Sequence, residues 1–390
     1  MVPGLIDRTR RLLAAGAVAL AAAVGSTAPA PAGAAEPERA RAHIGYGPEH
    51  PLAQNGWRAF AERLEQSADA PKLDLFLNGP SPEDSAAIEY LGRGDYSFGA
   101  IALPAFPKDF PYAALLSEAG LTGGDDELAA TAAATELLTL GCPVCQSAFA
   151  RKHLVFLGAY SAARYVMISR APATTVEALR GLSVLTPGSA WDRLIAGLGG
   201  APAELGGSAG ELFASGAIDA VIATPMRLSD AEVWAPARNV LAAPLGAYRG
   251  GGAFLASGPF WASLTPNARR AALSAAADGL VGVVWGYQNI ADAALKDAAA
   301  RGASIAAATP ELAEAIRAIV QEDHRRIAAT AEERFGIPDA NAFLDAFLLL
   351  YDKFAVLLVD AEDAAAAAAV LRQEIFDRID VETYGLEEDG

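Results

Sequence analysis

The stretch KLDLFLNGPSPEDSAAIEYLGRGDYSFGAIAL, residues 72–103, decides the fold class. Its opening residues alternate, with Leu73, Leu75 and Leu77 set to turn inward, which is the period of a half-buried strand. Ser81-Pro82-Glu83-Asp84 reads as a helix start: a hydroxyl cap, a proline, then two acids near the positive end of the helix dipole. Gly94 ends that helix, and YSFGAIAL (96–103) returns to strand. Strand, helix and strand in this order call for a mostly parallel sheet with helices over it.

The same alternation extends both ways. RAHIGYG (41–47) reads as a strand, and Pro51 opens a helix with Trp57, Phe60, Ala61 and Leu64 on one face. Downstream, HLVFLG (153–158), YVMIS (165–169), GLSVLT (181–186), GAIDAVIA (216–223) and GGAFLAS (251–257) read as strands, with helices over 175–180 and 190–198. After Thr265-Pro266 the pattern turns helical as far as Ala300, and Gly302 closes it. A second long helix starts at Thr309-Pro310 and reaches Phe335-Gly336, and two more fill 339–379. The first of these spans is long for a globular helix and can pass from one domain to another.

The N-terminus indicates the compartment. Arg8, Arg10 and Arg11 precede an uncharged apolar run over 12–24, and PAPAGAA (29–35) follows. That is the layout of a secretory signal peptide over 1–35, and the apolar run falls short of the roughly 20 residues that span a bilayer. The expectation is a soluble chain without direct membrane insertion, exported to the periplasm by the general or the twin-arginine route. The remaining length exceeds one comfortable core, so two domains are expected. Hydrophobic residues are 53% and charged residues 20%, a globular composition. The formal charge is −17 and no Lys/Arg cluster lies beyond the leader, which argues against nucleic acid or an anionic membrane as partner.

Few motifs carry chemistry. Cys142 and Cys145, in GCPVCQ (141–146), are the only cysteines. In an oxidising compartment a disulfide is favoured; a redox couple and a free or metal-binding pair stay open. GGSAG (206–210) fits the nucleophile-elbow pattern around Ser208, but a Gly-rich loop with Ser208 capping the next helix explains it more simply. The four histidines, His43, His50, His153 and His324, share no metal spacing, and no phosphate-cradling glycine motif occurs, so no cofactor is expected. What remains is a set of loops at strand ends: 46–50, 77–80, 102–106, 186–191, 223–227 and 248–252. Ligands of open α/β sheets bind at that edge. These loops are rich in Gly, Pro and aromatics and poor in catalytic pairs, which describes a binding cleft rather than an active site.

Several stretches resemble one family. IGYGPEHPLAQNGWRAFAERLEQ (44–66), GAIDAVIATP (216–225) and FWASLTPNARRAAL (260–273) resemble segments of the extracytoplasmic solute receptors of TRAP (tripartite ATP-independent periplasmic) transporters, DctP type. GCPVCQSAFARKHLVFLG (141–158) and LRQEIFDRIDVETYGL (371–386) resemble a subgroup with a Cys pair and an extended C-terminus. The resemblance implies a two-domain periplasmic-binding-protein fold of the flytrap type, with a long hinge-spanning helix and a helical C-terminal extension. It also implies a small organic solute, an organic acid, handed to TRAP permease membrane subunits without catalysis. The expected division is 36–162 with 250–290, and 163–249 with 291–390.

One departure matters. The family pattern G-L-K-[IV]-R-x-P places a carboxylate-clamping arginine where this chain has Leu185. Leucine has no donor, so Arg164 and Arg249 become the candidate replacements, with Arg193 and Arg227 behind them. The expected ligand-binding residues are Glu49, His50, Asn78, Pro104, Arg164, Trp191, Thr224, Tyr248 and Arg249, with Trp191 and Tyr248 as stacking partners for a ligand of more apolar character. Two other readings stand beside this one: an exported enzyme using Cys142/Cys145 or Ser208, and a receptor that reports to a membrane sensor.

Overall fold

The computed structural model describes residues 39–203 and 206–386. The expected leader and the expected start of the mature chain lie outside the described residues. Among the described residues eleven strands form two sheets. The first holds β1 (Ala40–His43), β2 (Leu73–Phe76), β3 (Phe98–Ile101), β4 (Leu154–Tyr160) and, returning much later, β10 (Gly251–Ser257), in the order β2-β1-β3-β10-β4. The second holds β5 (Val166–Ser169), β6 (Ser183–Leu185), β7 (Ala201–Ala203), β8 (Ala220–Ala223), β9 (Asn239–Ala242) and β11 (Ser304–Ala307), in the order β11-β9-β5-β8-β6-β7. The parallel pairs follow the βαβ reading. The exceptions are β10, antiparallel to β3 and β4, and β5, antiparallel to β8 and β9. Each enters its sheet directly from a passage between the sheets, with no helix between it and the strand before, whereas β11 follows the long Pro266–Ala300 helix and is parallel to β9.

Strand burial sorts by position. β4 and β10 are buried along their whole length, because helices cover both faces. β2 is an edge strand: Leu73 is buried, but Leu75 and Phe76 are exposed, so the expected inward alternation holds only at its start. The expected helix start at Ser81 is also displaced. The helix is Ser85–Arg93, and Asp84 caps it by accepting from the Ala86 N–H at 2.9 Å. Pro82 is instead held in a turn, its carbonyl taken by the Ala102 N–H at 2.9 Å. Residues Leu52–Trp57 form a π-helical turn before Arg58–Leu64 continues as α-helix, a local widening of a kind that often accompanies a functional loop.

Two long helices tie the sheets together. Pro266–Ala300, capped by Thr265, packs Leu273, Leu280 and Val284 into the first core and Ala298 into a core on the second sheet. Pro310–Phe335 puts Leu312 and Ile316 in the second lobe and Ile327 and Ala331 in the first. A charge network sits where that helix meets both lobes. Glu118 accepts from Arg193 at 2.9 Å, from Arg334 at 3.0 Å and from the Ser189 hydroxyl, while Arg193 also reaches Asp323 at 2.5 Å.

The C-terminal helices depart from the expected division. Ala340–Leu357 and Ala364–Glu374 pack on the first lobe, with Phe347, Phe354, Leu371 and Phe376 in its core, and not with the second sheet. The start of the long helix explains the anchoring. Arg269 donates to the Val381 carbonyl at 3.0 Å and Arg270 to that of Ile379 at 2.6 Å, while Tyr384 donates to the Phe156 carbonyl of β4 at 2.6 Å. No single helix among the described residues is long and apolar enough to cross a membrane.

Cys142 and Cys145 form a disulfide, both buried, at the start of the Pro143–Ala150 helix. Replacing both by serine lowers stability by about 2 kcal/mol, as expected for a small closed loop, measured by urea unfolding. In the native protein a thiol reagent labels no cysteine.

Candidate functional site

The chain passes between the sheets along 161–165 and again along 243–250. The two passages bond to each other as a short ribbon: the Ala162 N–H donates to the Tyr248 carbonyl at 3.0 Å, and the Tyr165 N–H to that of Gly246 at 2.9 Å. Gly246 sits at φ 64°, and a Cβ there would lie 2.2 Å from the Gly120 carbonyl, so only glycine fits. A Cβ on Gly251 would meet the Tyr160 and Tyr248 rings at 2.7 Å each. Backbone and tyrosines therefore close together at the junction of the lobes.

Five of the ten tyrosines gather there with one histidine. Tyr46 stacks flat on His50 with ring centres 4.0 Å apart, and His50 meets Tyr287 edge-on at 5.6 Å. Tyr160 lies parallel to Tyr287 at 6.1 Å and tilted against Tyr248 at 5.9 Å. Tyr165 meets Trp191 at 5.1 Å. Tyr248 packs against the cores of both lobes. Tyr160 and Tyr287 are buried, whereas Tyr46, His50 and Tyr248 keep partly exposed surface. Burial pushes the hydroxyls of Tyr46, Tyr160, Tyr248 and Tyr287 above the ordinary tyrosine range, so they remain protonated donors at neutral pH.

His50 is the polar pivot. Its Nδ1 accepts from the Leu52 N–H at 3.2 Å, so the ring proton belongs on Nε2, which lies 3.0 Å from the Tyr287 hydroxyl. Burial lowers its pKa to about 4, and the ring is neutral at pH 7. The centre of the cluster therefore carries no charge.

The arginines are committed elsewhere. Leu185 is packed among Val166, Phe213 and Val221 in a core, so nothing at that position replaces a clamp. Arg249 is 1% exposed and lies inside the first lobe. It donates to the carbonyls of Thr122 and Gly124 and pairs with Glu127 at 3.4 Å. Burial raises the Glu127 pKa against the pull of that arginine. Arg193 belongs to the Glu118 network, and Arg227 pairs with Asp230 at 3.0 Å on the surface. Arg164 is exposed and 3.5 Å from Asp125, in a groove of about 310 Å³ also lined by Tyr165, Pro225, Pro244 and Gln288.

The other expected site residues fall as follows. His50 and Tyr248 belong to the tyrosine cluster. Trp191 is buried, its indole N–H donated to the Leu245 carbonyl at 2.7 Å, so it packs the passage from the second lobe. Glu49 and Asn78 are exposed, and Pro104 and Thr224 partly exposed; Pro104 lies in the 3-10 turn Leu103–Ala105 and the others on loops, each after a first- or second-lobe strand. Sequence reasoning passed over Tyr160 and Tyr287. Tyr160 lies two residues past the strand read over 153–158, and Tyr287 lies mid-helix, 237 residues from the His50 that it faces. Ser208 caps Ala209–Ser215 in a reciprocal box with Glu211, the bland reading of that motif. Among the described residues no group of three His, Cys, Asp or Glu is placed to hold a metal ion.

Two outcomes follow. Arg249→Ala leaves Glu127 buried without its partner and lowers stability by about 3–5 kcal/mol in denaturant titration; a loss under about 1 kcal/mol contradicts the structural role. His50 has a folded pKa below its ordinary 6.5, so its contribution is fully present above that value and is lost as pH falls toward 4. Allowing for partial exposure, the loss is about 2 kcal/mol, and His50→Phe removes that part of the pH dependence of unfolding.

No family model and no curated protein matches this chain. Solved structures are similar. A TRAP periplasmic solute-binding protein from Bordetella bronchiseptica with bound mandelate is 17% identical, with 81% of this chain and 99% of that one covered, at a TM-score of 0.62. The periplasmic ectoine-binding protein of a TRAP transporter from Halomonas elongata is 13% identical, covering 81% and 100%, at 0.63. A TRAP periplasmic solute-binding protein from Desulfovibrio salexigens, in an open complex, is 15% identical, covering 83% and 97%, at 0.67. At these identities the likeness establishes the fold: this chain has the two-lobe architecture of TRAP periplasmic solute-binding proteins.

Proposed function

We propose that this protein is the extracytoplasmic solute receptor of a TRAP transporter, located in the periplasm and free of catalytic activity. It captures a small organic solute between its lobes and delivers it to the membrane permease subunits. The observation that carries this reading is the junction itself. Two lobes are joined by two bonded passages and two spanning helices, with an uncharged aromatic cluster between the strand ends. The fold it shares with receptors that hold mandelate or ectoine supports the same role.

The moving bodies we infer are 39–162 with 250–290 and the C-terminal helices, and 163–249 with the β11 region. His50 and Tyr248 form the floor of the site, and Glu49, Asn78, Pro104 and Thr224 frame it. A ligand that contacts both lobes binds the closed form better and shifts the hinge equilibrium toward it. The oxidised, buried Cys142–Cys145 pair and the capping role of Ser208 speak against the enzyme readings.

The test is a thermal-shift screen of the protein against a broad set of small organic acids, amides and polyols, with native mass spectrometry of the purified protein to identify any retained solute. The expected result is a stoichiometric small ligand that raises the melting temperature by mass action and is recovered chemically unchanged. Conversion of the compound, or no stabilisation by any member of the set, overturns the proposal.

A further inference from the structure

Helix Ala340–Leu357 carries two apolar stripes, and the fold uses one of them. Phe343, Phe347, Tyr351 and Phe354 belong to the first core. On the opposite side Ala342, Asp345, Leu349, Asp352 and Val356 follow one another at helical spacing, all exposed, with Val359 just past the helix end. Among the described residues the three most exposed large apolar side chains are Leu349 at 71%, Val356 at 71% and Val359 at 74%; the next is Val144 at 50%. Neither core packing nor helix propensity asks for them. Valine is a poorer helix former than alanine, and the next helix, Ala364–Glu374, meets solvent with Ala364, Ala365, Ala366 and Ala369. A contiguous apolar surface that folding does not need marks a contact site.

The charges around the stripe select what can cover it. Segment 340–363 holds Asp345, Asp352, Asp360, Glu362 and Asp363 against one base, Lys353. Lys353 is committed to Glu136 at 2.7 Å and Glu374 at 3.0 Å. Asp345 lies 4.0 Å from His324 and stays largely exposed. The rim is therefore acidic. A second copy fits it badly: antiparallel pairing that sets Leu349 against Val356 also brings the two Asp352 side chains together and Asp345 against Asp360. The same rim repels an anionic lipid surface. The last residues of the chain, EEDG (387–390), are themselves acidic. We propose that this face is a docking surface for another protein that presents a basic amphipathic helix. Its apolar side chains meet Leu349, Val356 and Val359, and its Lys or Arg side chains lie over Asp345, Asp352 and Asp360. The stripe from Ala342 to Val356 runs about 21 Å, four turns of such a helix. The inference stands apart from solute capture and does not rest on it.

The experiment titrates the purified protein into two synthetic amphipathic helical peptides, one of leucine and lysine and one of leucine and glutamate, and reads fluorescence anisotropy. The lysine peptide binds one to one and the glutamate peptide does not. The double variant Leu349→Gln with Val356→Gln keeps a good helix former at both positions and weakens binding by about tenfold or more. Asp345→Asn with Asp352→Asn weakens it severalfold and flattens its salt dependence. Val144→Gln, at an exposed apolar position on another helix, leaves it unchanged. Equal binding by wild type and every variant is general attraction to a chain of net charge −17 and overturns the proposal. So does a lysine peptide that does not bind. A concentration-dependent dimer in sedimentation that the Leu349→Gln, Val356→Gln pair dissolves assigns the face to a second copy instead. Attachment to phosphatidylcholine–phosphatidylglycerol vesicles that the same pair abolishes assigns it to the membrane, and either result overturns the proposal as well.

Discussion

The close approach of backbone at the two passages is the constraint on which the rest depends. Residues 161–165 and 243–250 must bond to each other and to the 120–122 turn within a space that excludes a side chain at Gly246. With that ribbon formed, Tyr160 and Tyr248 are fixed on either side of Gly251, and the loop after β1 closes onto them through Tyr46 and His50. The long helix then brings Tyr287 to His50 and carries on to the second lobe. The cluster is thus a consequence of how the sheets are joined, not a feature of either sheet alone.

Charge at this junction has been moved into the scaffold. Arg249 and Glu127 are buried as a pair whose removal would cost more than it contributes. Arg193, Glu118, Asp323 and Arg334 are spent holding two helices and both lobes together. The aromatic cluster at the passages presents neutral imidazole and phenol, while Arg164 and Asp125 keep an exposed ion pair in the adjoining groove.

Much of the fold was legible in the sequence, because it follows from period and punctuation. Alternation at Leu73, the Gly94 stop and the Thr265-Pro266 and Thr309-Pro310 caps all describe local backbone, and local rules decide them. The strands β7 (APA), β9 (NVLA) and β11 (SIAA) are no shorter than several legible ones, but their Ala and Pro content gives little β-branched or aromatic signal. The placement of the C-terminal helices depends on arginine side chains more than a hundred residues earlier, which no local pattern reports. The aromatic cluster was half legible. His50 and Tyr248 lie on strand-end loops, which the rule for ligand loops of open α/β sheets singles out. Tyr160 and Tyr287 sit within regular elements and become neighbours only through tertiary packing. The arginines looked available because a sequence does not show that Thr122, Gly124 and Glu127 already surround Arg249.

The central claim is mechanical: two lobes close on a solute about the 161–165 and 243–250 ribbon. Distance measurement between spin labels at Lys108 on the first lobe and Arg180 on the second, with and without a bound solute, tests it most directly. The account predicts two separations, with the solute enriching the shorter one. A single separation that does not change when a solute is bound would contradict it.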